Sequence, residues 1–477
     1  MAPLAALTLL ALALRIPAFL NYDHLNSDYA IAGLQALHIL KGELSAFLWG
    51  VGYQASFESL LTALGIAIFG DHTLVMMGVS FLGYWIVVLT TFSLLTRYFD
   101  PSKALLATLF LVIASSPLFH ATLYPPRQWA ITFSFVALWC LDGRRFAGLG
   151  MFLAFFALYV DFIAIQFFPG LVVMAYLRGG KGRGLGFLAG AVFLGLTRFL
   201  GPKGGPPLAL NFNVIASTTT IFFEEAWPAL LSMPTWIPSW EAHFPQWYRS
   251  PASLILRSLA GLSFMGGMGL SARRLFTDAT VPAGLRRLGL FGVTTTLVSF
   301  AAFFISPIVW DVWASRYLAS VLWVAPFTFG PLFYRLATNR IALVTAPYFA
   351  CTLLALWVSS GDIVRGRTAA GTGKGELELA AFLREKGIGH AKATFNSAYR
   401  MTYLFRENPI VVPHEAWRDR YSPYRTAVER SPRFALIFDA SYPEHAIADE
   451  EAKIKAAGWR SEPFRAGEYR GFLIRKN

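Results

Sequence analysis

The chain has 477 residues, of which 55% are hydrophobic and 14% are charged, and its mean hydropathy is +0.50. Because an average soluble domain is about 25% charged, this composition excludes a soluble globular protein and indicates a multi-span α-helical membrane protein. The formal net charge is +13, but the basic residues lie in short loops between apolar runs, so no nucleic-acid partner is needed to explain it.

Apolar runs recur through the first three quarters of the chain. We predict about eleven membrane spans, near residues 3–20, 72–96, 104–119, 128–142, 146–161, 162–177, 184–200, 251–270, 288–307, 317–334 and 341–358. Several are short and contain Pro, Gly or Asp, which favours broken or tilted hairpins. Basic loops favour the cytoplasmic side, so the loops 21–71 and 201–250 and the segment 360–477 are predicted outside. Residues 1–359 then form the transmembrane domain.

The first outer loop is predicted to contain two helices. The first runs from Tyr29 to Lys41 and has apolar residues at helical spacing, namely Ile31, Leu34, Leu37 and Leu40, which predicts an amphipathic helix on the membrane surface. Asn26 or Ser27 can cap it. A second apolar helix is predicted from Phe57 to Phe69, ending at Gly70.

The composition changes to a soluble pattern from Gly361 onward. The stretches "GELELAAFLREKGIGHAKATF" and "EHAIADEEAKIKAAGW" contain predicted helices, and "IVVP" and "FALIF" are typical of strands. Alternating helices and strands indicate a small α/β domain. Its sequence has no glycine-rich phosphate loop and no metal-ligand spacing.

Asp28 is the strongest catalytic candidate because it lies in the first turn of a predicted helix, just after the first apolar run. The positive end of the helix keeps such a carboxylate ionised, and an ionised carboxylate can act as a general base toward a hydroxyl group. The alternative is that Asp28 only caps the helix. Asp23 and His24 precede it, and a divalent metal at these two residues is left open.

Two more acids lie near predicted membrane edges. Glu58 is on an otherwise apolar helix and must face a cavity, a partner or lipid headgroups, and Asp161 lies between two apolar half-spans in "YVDFIAI". We interpret both as candidates for binding sugar hydroxyls or other polar substrate groups. The alternative for each is an interfacial loop acid.

Arg127 in "YPPRQW" and Arg316 in "WASRYL" are the cations expected on the outer side. A planar guanidinium can hold two phosphate oxygens and stabilise charge on a leaving group. Either arginine can instead extend to lipid headgroups. The aromatic loop 224–249 is either a segment resting on the membrane or a mobile lid.

The stretch "SDYAIAGLQALHILKGE", followed by "GYQASFESLLTALGIAIFG", resembles the first outer loop of GT-C glycosyltransferases of the protein O-mannosyltransferase and aminoarabinose-transferase type. In that superfamily an acidic motif precedes an interfacial helix, a Gly-Glu pair and a second helix. The matching parts here are Asp28, the helix through Leu40, Gly42-Glu43 and Ile68-Phe69-Gly70. The family often has two adjacent acids, whereas Asp28 is followed by Tyr29.

The resemblance implies a transferase that moves a sugar from a polyprenyl-phosphate carrier to an acceptor hydroxyl on the outer face of the plasma membrane, with inversion. Asp28 is then the base, and the expected substrate-binding residues are Glu58, Asp161, Arg127, Arg316, Tyr317 and Tyr53. The expected partners are the lipid-linked donor, membrane lipids and an unidentified acceptor. No cofactor is assigned, apart from the divalent metal left open at Asp23 and His24.

Two other classes of protein remain as alternatives. A secondary transporter or lipid flippase would carry polar groups near the bilayer centre in helices related by an internal repeat, and no such repeat is visible in the sequence. A receptor or assembly scaffold would explain the C-terminal domain but not the acids at Asp28, Glu58 and Asp161.

Overall fold

The computed structural model describes residues 2–22, 25, 27–115, 127–143, 145–201, 210–235, 245–370, 374–439 and 442–476. The chain divides into two compact units. Unit 1 comprises Met1–Pro17, Tyr53–Ala55 and Met77–Asp362, and unit 2 comprises Ala18–Gly52, Ser56–Met76 and Ile363–Asn477. Unit 2 therefore contains the C-terminal domain together with most of the loop 21–71, which the sequence prediction assigned to the transmembrane domain.

Unit 1 is built from helices. Those that lie wholly or mainly in it are α1 Ala2–Leu20, α4 Thr73–Leu95, α5 Pro101–Val112, α6 Gln128–Asp142, α7 Ala147–Val160, α8 Phe168–Arg178, α9 Arg183–Leu200, α10 Phe212–Ile221, α11 Trp227–Leu230, α12 Pro251–Thr277, α13 Ala283–Phe304, α14 Ala319–Thr328, α15 Gly330–Arg335 and α16 Thr338–Ala370. Short 3₁₀ helices, Phe162–Gln166 and Val312–Leu318, precede α8 and α14.

Six helical segments in the described part of the chain are long and apolar enough to cross a membrane, namely Ala2–Leu20, Thr73–Leu95, Pro251–Thr277, Ala283–Phe304, Val312–Arg335 and Thr338–Val358. The protein is thus an integral membrane protein. Three further predicted spans coincide with the shorter apolar helices α5, α7 and α8. Each of these helices is shorter than the roughly 20 residues that a straight membrane crossing takes. The number of about eleven crossings stays a prediction.

Buried aromatic side chains fill the interior of unit 1. Phe135, Phe291 and Phe327 are fully buried, and Trp323 is 1% exposed. The ring centroids of Phe135 and Trp323 are 6.2 Å apart, and those of Phe291 and Phe327 are 6.0 Å apart. Since lipid tails are as apolar as these rings, close packing between helices, rather than removal from water, stabilises this interior.

The apolar run 146–177 is interrupted at Asp161. This residue is extended, with φ −154° and ψ 137°, and its Oδ1 accepts a hydrogen bond from the backbone N–H of Ile163, which caps the 3₁₀ helix. Gln54 forms an isolated antiparallel bridge with Asp161, and the N–H of Ala55 donates to the carbonyl of Val160 at 2.9 Å. The break therefore holds an acidic side chain between two helices.

Two helices of the first loop lie in unit 2, as α2 Ser27–Leu40 and α3 Phe57–Phe69, which confirms both predicted helices. Gly70 follows α3 with φ +85°, a left-handed conformation that favours glycine. Gln35, which is not one of the four apolar residues that define the stripe of α2, is fully buried. Its Nε2 donates to the carbonyl of Phe47 at 2.9 Å and its Oε1 accepts from Ser59 at 3.0 Å, so protein rather than solvent satisfies the amide.

The C-terminal part of unit 2 is an α/β domain, as predicted. Its elements are α17 Lys374–Glu385, β1 His390–Ala393, α18 Phe395–Leu404, β2 Ile410–Pro413, α19 Ser422–Arg430, β3 Arg433–Phe438, α20 Glu444–Ala456, β4 Arg460–Ala466 and β5 Tyr469–Arg475. The sheet order is β2-β1-β3-β5-β4. Strand β1 pairs in parallel with β2 and β3, whereas β5 is antiparallel to β3 and β4. The β4–β5 hairpin was not predicted.

Helix α2 packs closely against the C-terminal domain within unit 2. A Cβ atom placed on Gly33 would lie 2.7 Å from the ring of Tyr403 on α18. Any residue larger than glycine would therefore displace the Tyr403 ring. The residues from Ala30 to Ala36 are all buried. The small residues of α2 therefore allow two helices to approach closely.

Candidate functional site

The first candidate site lies in unit 1 around Asp161, whose side chain is 3% exposed. Its Oδ2 accepts a hydrogen bond from Gln54 Nε2 at 2.5 Å and lies 3.7 Å from Nε of Arg127. Its Oδ1 accepts from the N–H of Ile163 at 2.7 Å. Both carboxylate oxygens are therefore engaged, and Asp161 holds the guanidinium of Arg127 in place.

Two arginines lie over the ring of Tyr317 in the same site. The guanidinium of Arg127 is 5.2 Å from the centre of the Tyr317 ring and that of Arg316 is 5.0 Å from it. Nη2 of Arg316 also donates to the Tyr317 hydroxyl at 3.2 Å. The structure thus brings together Asp161 and the predicted residues Arg127, Arg316 and Tyr317.

Tyr53 is connected to this site through an arginine that the sequence analysis missed. Nη2 of Arg198 donates to the carbonyl of Tyr53 at 3.3 Å and to the carbonyl of Leu158 at 3.0 Å. Arg198 also interacts electrostatically with Asp161. Three guanidinium groups against one carboxylate give the site positive charge, which suits an anionic ligand such as a phosphate. Arg198 lies inside the predicted span 184–200, and a charged side chain in a span is itself a signal of function that the sequence analysis did not use.

The second candidate site lies in unit 2 around Asp28. Its side chain is 53% exposed and lies in the first turn of α2. Nη2 of Arg420 is 4.0 Å from Asp28 Oδ1. Ser27, a predicted cap, instead accepts a hydrogen bond on its hydroxyl oxygen from the N–H of Tyr399 at 3.1 Å. The carboxylate of Asp28 is therefore accessible to a substrate hydroxyl.

Glu58 is buried in the first turn of α3, with 1% of its surface exposed. This burial within unit 2 excludes contact with lipid headgroups, which was one of three expected environments for this carboxylate. The role of Glu58 in binding sugar hydroxyls stays a prediction.

A charged cluster around His38, near the end of α2, was not predicted. His38 Nδ1 lies 2.6 Å from Glu43 Oε2, and its Nε2 lies 2.7 Å from Glu407 Oε1. Since a carboxylate can only accept, both ring nitrogens must donate and the imidazole is protonated. The hydrogen bond with Glu407 raises the pKa of His38 above its ordinary value. The reciprocal bond lowers the pKa of Glu407 to about 2.

Three aromatic residues enclose this cluster. The hydroxyl of Tyr421 donates to Glu43 at 2.7 Å, and that of Tyr424 donates to Glu407 at 2.5 Å. The ring of Trp49 stacks on Tyr421 with centroids 3.9 Å apart. Because His38 and Glu407 are 369 positions apart in the chain, sequence spacing offers no signal for this cluster.

The aromatic loop 224–249 is only partly described, since residues 236–244 lie outside the described part of the chain. Its first part packs inside unit 1, where Trp227 is 6% exposed and stacks on Phe222. Tyr248 is also buried, and its hydroxyl accepts from Arg257 at 3.0 Å. These parts of the loop contribute to the protein interior, and the lid interpretation stays a prediction.

No group of three or more His, Cys, Asp and Glu side chains that could hold a metal ion occurs among the described residues. Asp23 and His24, for which a divalent metal was left open, lie outside the described residues.

Comparisons with known proteins give matches at the level of structure. No protein-family model and no curated protein matches the sequence. The crystal structure of ArnT from Cupriavidus metallidurans in the apo state matches with a TM-score of 0.52 and 12% identity, covering 99% of this chain and 98% of that chain. The same protein bound to undecaprenyl phosphate matches with a TM-score of 0.51 and 12% identity, covering 98% of each chain.

A weaker likeness is to the oligosaccharyltransferase of Archaeoglobus fulgidus in complex with zinc and sulfate, with a TM-score of 0.46 and 12% identity, covering 91% of this chain and 67% of that chain. The predicted fold class is confirmed by the two ArnT structures. This chain is a polytopic α-helical membrane protein that has, with its small C-terminal α/β domain, the fold of the GT-C glycosyltransferase ArnT.

Proposed function

We propose that this protein is a membrane glycosyltransferase that moves a sugar from a polyprenyl-phosphate carrier to an acceptor hydroxyl. The observation that carries the proposal is the arginine site around Asp161, where three guanidinium groups accompany one carboxylate. The ArnT structure bound to undecaprenyl phosphate, which has the same fold, supports a lipid-linked phosphate as the ligand.

Arg127 and Arg316 are proposed to hold the donor phosphate. Asp161, which accepts a hydrogen bond from Gln54, fixes Arg127 on one side, and both guanidinium groups lie over the Tyr317 ring. The planar guanidinium of arginine can donate two hydrogen bonds to phosphate oxygens, and its fixed positive charge stabilises the negative charge that builds on a leaving phosphate. Tyr53 is proposed to contact the same donor.

The proposed reaction is a single displacement at the anomeric carbon. A bond forms between the acceptor oxygen and the anomeric carbon on the face opposite the phosphate, while the bond from that carbon to the phosphate oxygen breaks. The electron pair of the broken bond stays on the polyprenyl phosphate, and the acceptor proton passes to the carboxylate of Asp28. Attack from the opposite face inverts the configuration of the sugar.

Asp28 suits the role of base because its carboxylate is half exposed and receives no hydrogen bond from another residue in the described part of the chain. By contrast, the hydrogen bonds and ion pair that engage both oxygens of Asp161 suit it to hold other groups. The division of roles between the two acids thus follows from their hydrogen bonding.

We place the reaction on the extracytoplasmic side of the plasma membrane, because the basic loops favour the cytoplasm. Leu44→Cys tests this placement, since Leu44 is 77% exposed in the first loop, and the two native cysteines are buried. An impermeant maleimide should label this variant in intact cells. A matched variant in a predicted cytoplasmic loop, Lys181→Cys, should react only after permeabilisation, and the reverse pattern would refute the orientation.

The function is tested by incubating purified protein with a panel of radiolabelled polyprenyl-phosphate sugars and hydroxyl acceptors and measuring released carrier and glycosylated product. Wild type should turn over at least one donor, and Asp28→Asn should turn it over far more slowly. Glu444→Gln is the matched control, since Glu444 also lies in the first turn of a helix and pairs with an arginine, Arg470. No turnover with any donor would favour a transporter. Repeating the assay with a chelator tests whether turnover requires a divalent metal.

A further inference from the structure

Arg420, which belongs to the C-terminal domain, is held beside Asp28 by contacts on two sides. Its Nη1 donates to the carbonyl of Gly50 at 3.1 Å, and its guanidinium lies over the Phe395 ring, 5.4 Å from the centroid. Its Nη2 is 4.0 Å from Asp28 Oδ1. The side chain is 30% exposed. These contacts restrict the guanidinium and direct one nitrogen toward the carboxylate.

The backbone around Arg420 is fixed by the buried hydroxyl of Tyr399. This oxygen accepts from the N–H of Arg420 at 2.6 Å and from the N–H of Tyr421 at 3.3 Å, and it donates to Asp419 Oδ1 at 2.9 Å. Tyr399 is fully buried. A phenol that satisfies three neighbours at once holds this turn in a single conformation.

Gly50 adds a second constraint on the same turn. It has φ +66°, and a Cβ atom placed on it would lie 2.7 Å from Cα of Arg420. Only glycine permits both this conformation and this approach of two backbones. The carbonyl that receives Nη1 of Arg420 is therefore held at a fixed position relative to the arginine.

Tyr399, which fixes the backbone of Arg420, also fixes the start of α2. The N–H of Tyr399 donates to the hydroxyl oxygen of Ser27 at 3.1 Å in a buried hydrogen bond, and Ser27 immediately precedes Asp28. Contacts thus run from Ser27 to Tyr399, from Tyr399 to Arg420 and from Arg420 back to Asp28. Both the backbone and the carboxylate of the candidate base are tied to the C-terminal domain.

We propose that Arg420 is a positioning residue for Asp28, so that the C-terminal domain completes the catalytic site. This inference rests on the proposed function, in which Asp28 accepts the acceptor proton. A half-exposed aspartate can adopt several side-chain rotamers, and a fixed cation on one side favours the rotamer that points toward it. Restricting the rotamers of a base raises the fraction of molecules in which it is aligned with the acceptor.

The test compares Arg420→Gln and Arg420→Lys with Arg418→Gln in the donor assay. Arg418 is a matched control, because it lies in the same turn and over the same Phe395 ring, at 5.7 Å, without an ion pair to Asp28 among the described contacts. We expect Arg420→Gln to lower kcat by on the order of 10–100-fold, the scale of loss from a misplaced catalytic group, with KM for donor and acceptor unchanged. Arg420→Lys should regain part of the loss, and Arg418→Gln should match wild type.

Two further measurements separate positioning from folding. Added guanidinium ion at low millimolar concentration should partly restore turnover to Arg420→Ala, which a folding defect would not allow. In the Asp28→Asn background, Arg420→Gln should cause little further loss, because effects that act through one group are not additive.

The outcomes distinguish this inference from the proposed function. An inactive wild type, or an active Asp28→Asn enzyme, overturns the proposed function and this inference together. An active wild type with an inactive Asp28→Asn variant and an Arg420→Gln variant equal to wild type overturns only the positioning role. A rise in acceptor KM with unchanged kcat in Arg420→Gln overturns it as well, because Arg420 would then bind the acceptor instead.

Discussion

The two candidate sites each combine a carboxylate with arginine, but they differ in how fully the carboxylate is engaged. Asp161 in unit 1 is 3% exposed and accepts hydrogen bonds on both oxygens. Asp28 in unit 2 is 53% exposed, and its ion pair with Arg420 spans 4.0 Å. A fully engaged carboxylate holds its neighbours in place, whereas one with open positions can receive a proton.

This difference predicts how substitutions divide between activity and stability. Changing the exposed carboxylate should affect the reaction more than the fold, and changing the buried one should affect the fold first. Substitutions that alter one of the two sites at a time test this division.

Asp28→Asn should have the largest effect. Asparagine keeps the size of the side chain and caps a helix about as well as aspartate, but it lacks the basic oxygen. Turnover should fall by roughly 10²–10⁴-fold, the usual contribution of general base catalysis, while the melting temperature stays near that of wild type. Normal activity in Asp28→Asn combined with damage in Asp28→Leu would show that Asp28 only caps the helix.

Asp161→Ala should mainly destabilise the protein. Removing one partner of a buried ion pair leaves the other uncompensated and costs about 3–5 kcal/mol, which thermal unfolding in detergent would detect. Asp311→Ala is a matched control, because Asp311 also caps a 3₁₀ helix, accepting from the N–H of Trp313 at 3.0 Å, but is exposed. Losing a cap costs roughly 0.5–2 kcal/mol. Equal effects of the two substitutions would contradict the comparison.

Arg316→Lys should weaken use of the donor without disturbing the fold. Lysine keeps the charge but loses the planar fork that holds two phosphate oxygens, so kcat/KM for the donor should fall by an amount equivalent to about 1–3 kcal/mol. Arg145→Lys provides the control, since Arg145 is likewise exposed and lies over the ring of the next residue, Phe146, at 5.5 Å. Unchanged donor kinetics in both Arg316→Lys and Arg316→Ala would leave Arg316 as a lipid-facing cation.

The smallest effect is expected from pH acting on the charged cluster of unit 2. The hydrogen bond with Glu407 raises the pKa of His38 above its ordinary 6.5, so its stabilisation is complete below pH 6.5 and is lost as pH rises through the raised value. The pKa of Glu407 falls from 4.5 to about 2, chiefly through the hydrogen bond from His38, so its contribution is complete above pH 4.5 and is lost toward pH 2.

The cluster should therefore stabilise the protein most between pH 4.5 and 6.5. Melting temperatures of wild type across the pH range should show this maximum, and His38→Gln should flatten it. His445→Gln, at an exposed histidine of α20, should keep the wild-type profile. A maximum that persists in His38→Gln would show that other groups set the pH dependence.

The sequence predicted local structure and the types of chemical group better than it predicted their partners. Helical spacing and Gly70 identified α2 and α3, and alternating elements identified the α/β domain. Charge in apolar surroundings identified Asp161, because such residues carry a high cost in a membrane protein. Arg127 and Arg316 were identified as the cations expected on the outer side that could hold a phosphate. Their proximity to one another was not predictable, since it depends on helix packing.

Partners that lie far apart in the sequence were missed for a physical reason. Gln35 lies off the apolar stripe of α2, but Phe47 and Ser59 satisfy its amide inside the protein. Arg420 lies in a charged stretch of the C-terminal domain that resembles any solvated turn. Its contact with Asp28 arises only because α2 packs on α18, a long-range arrangement that local spacing does not encode.

The packing of Gly33 against Tyr403 has a consequence for modularity. The C-terminal domain looks like an independent cassette in the sequence, one that could be exchanged between relatives by cutting near residue 360. However, α18 packs on α2, so a graft of the cassette alone would bring a foreign surface against a helix whose residues from Ala30 to Ala36 are all buried. A functional chimera should therefore carry residues 18–52 and 56–76 of unit 2 along with the C-terminal domain, and these segments should be inherited together.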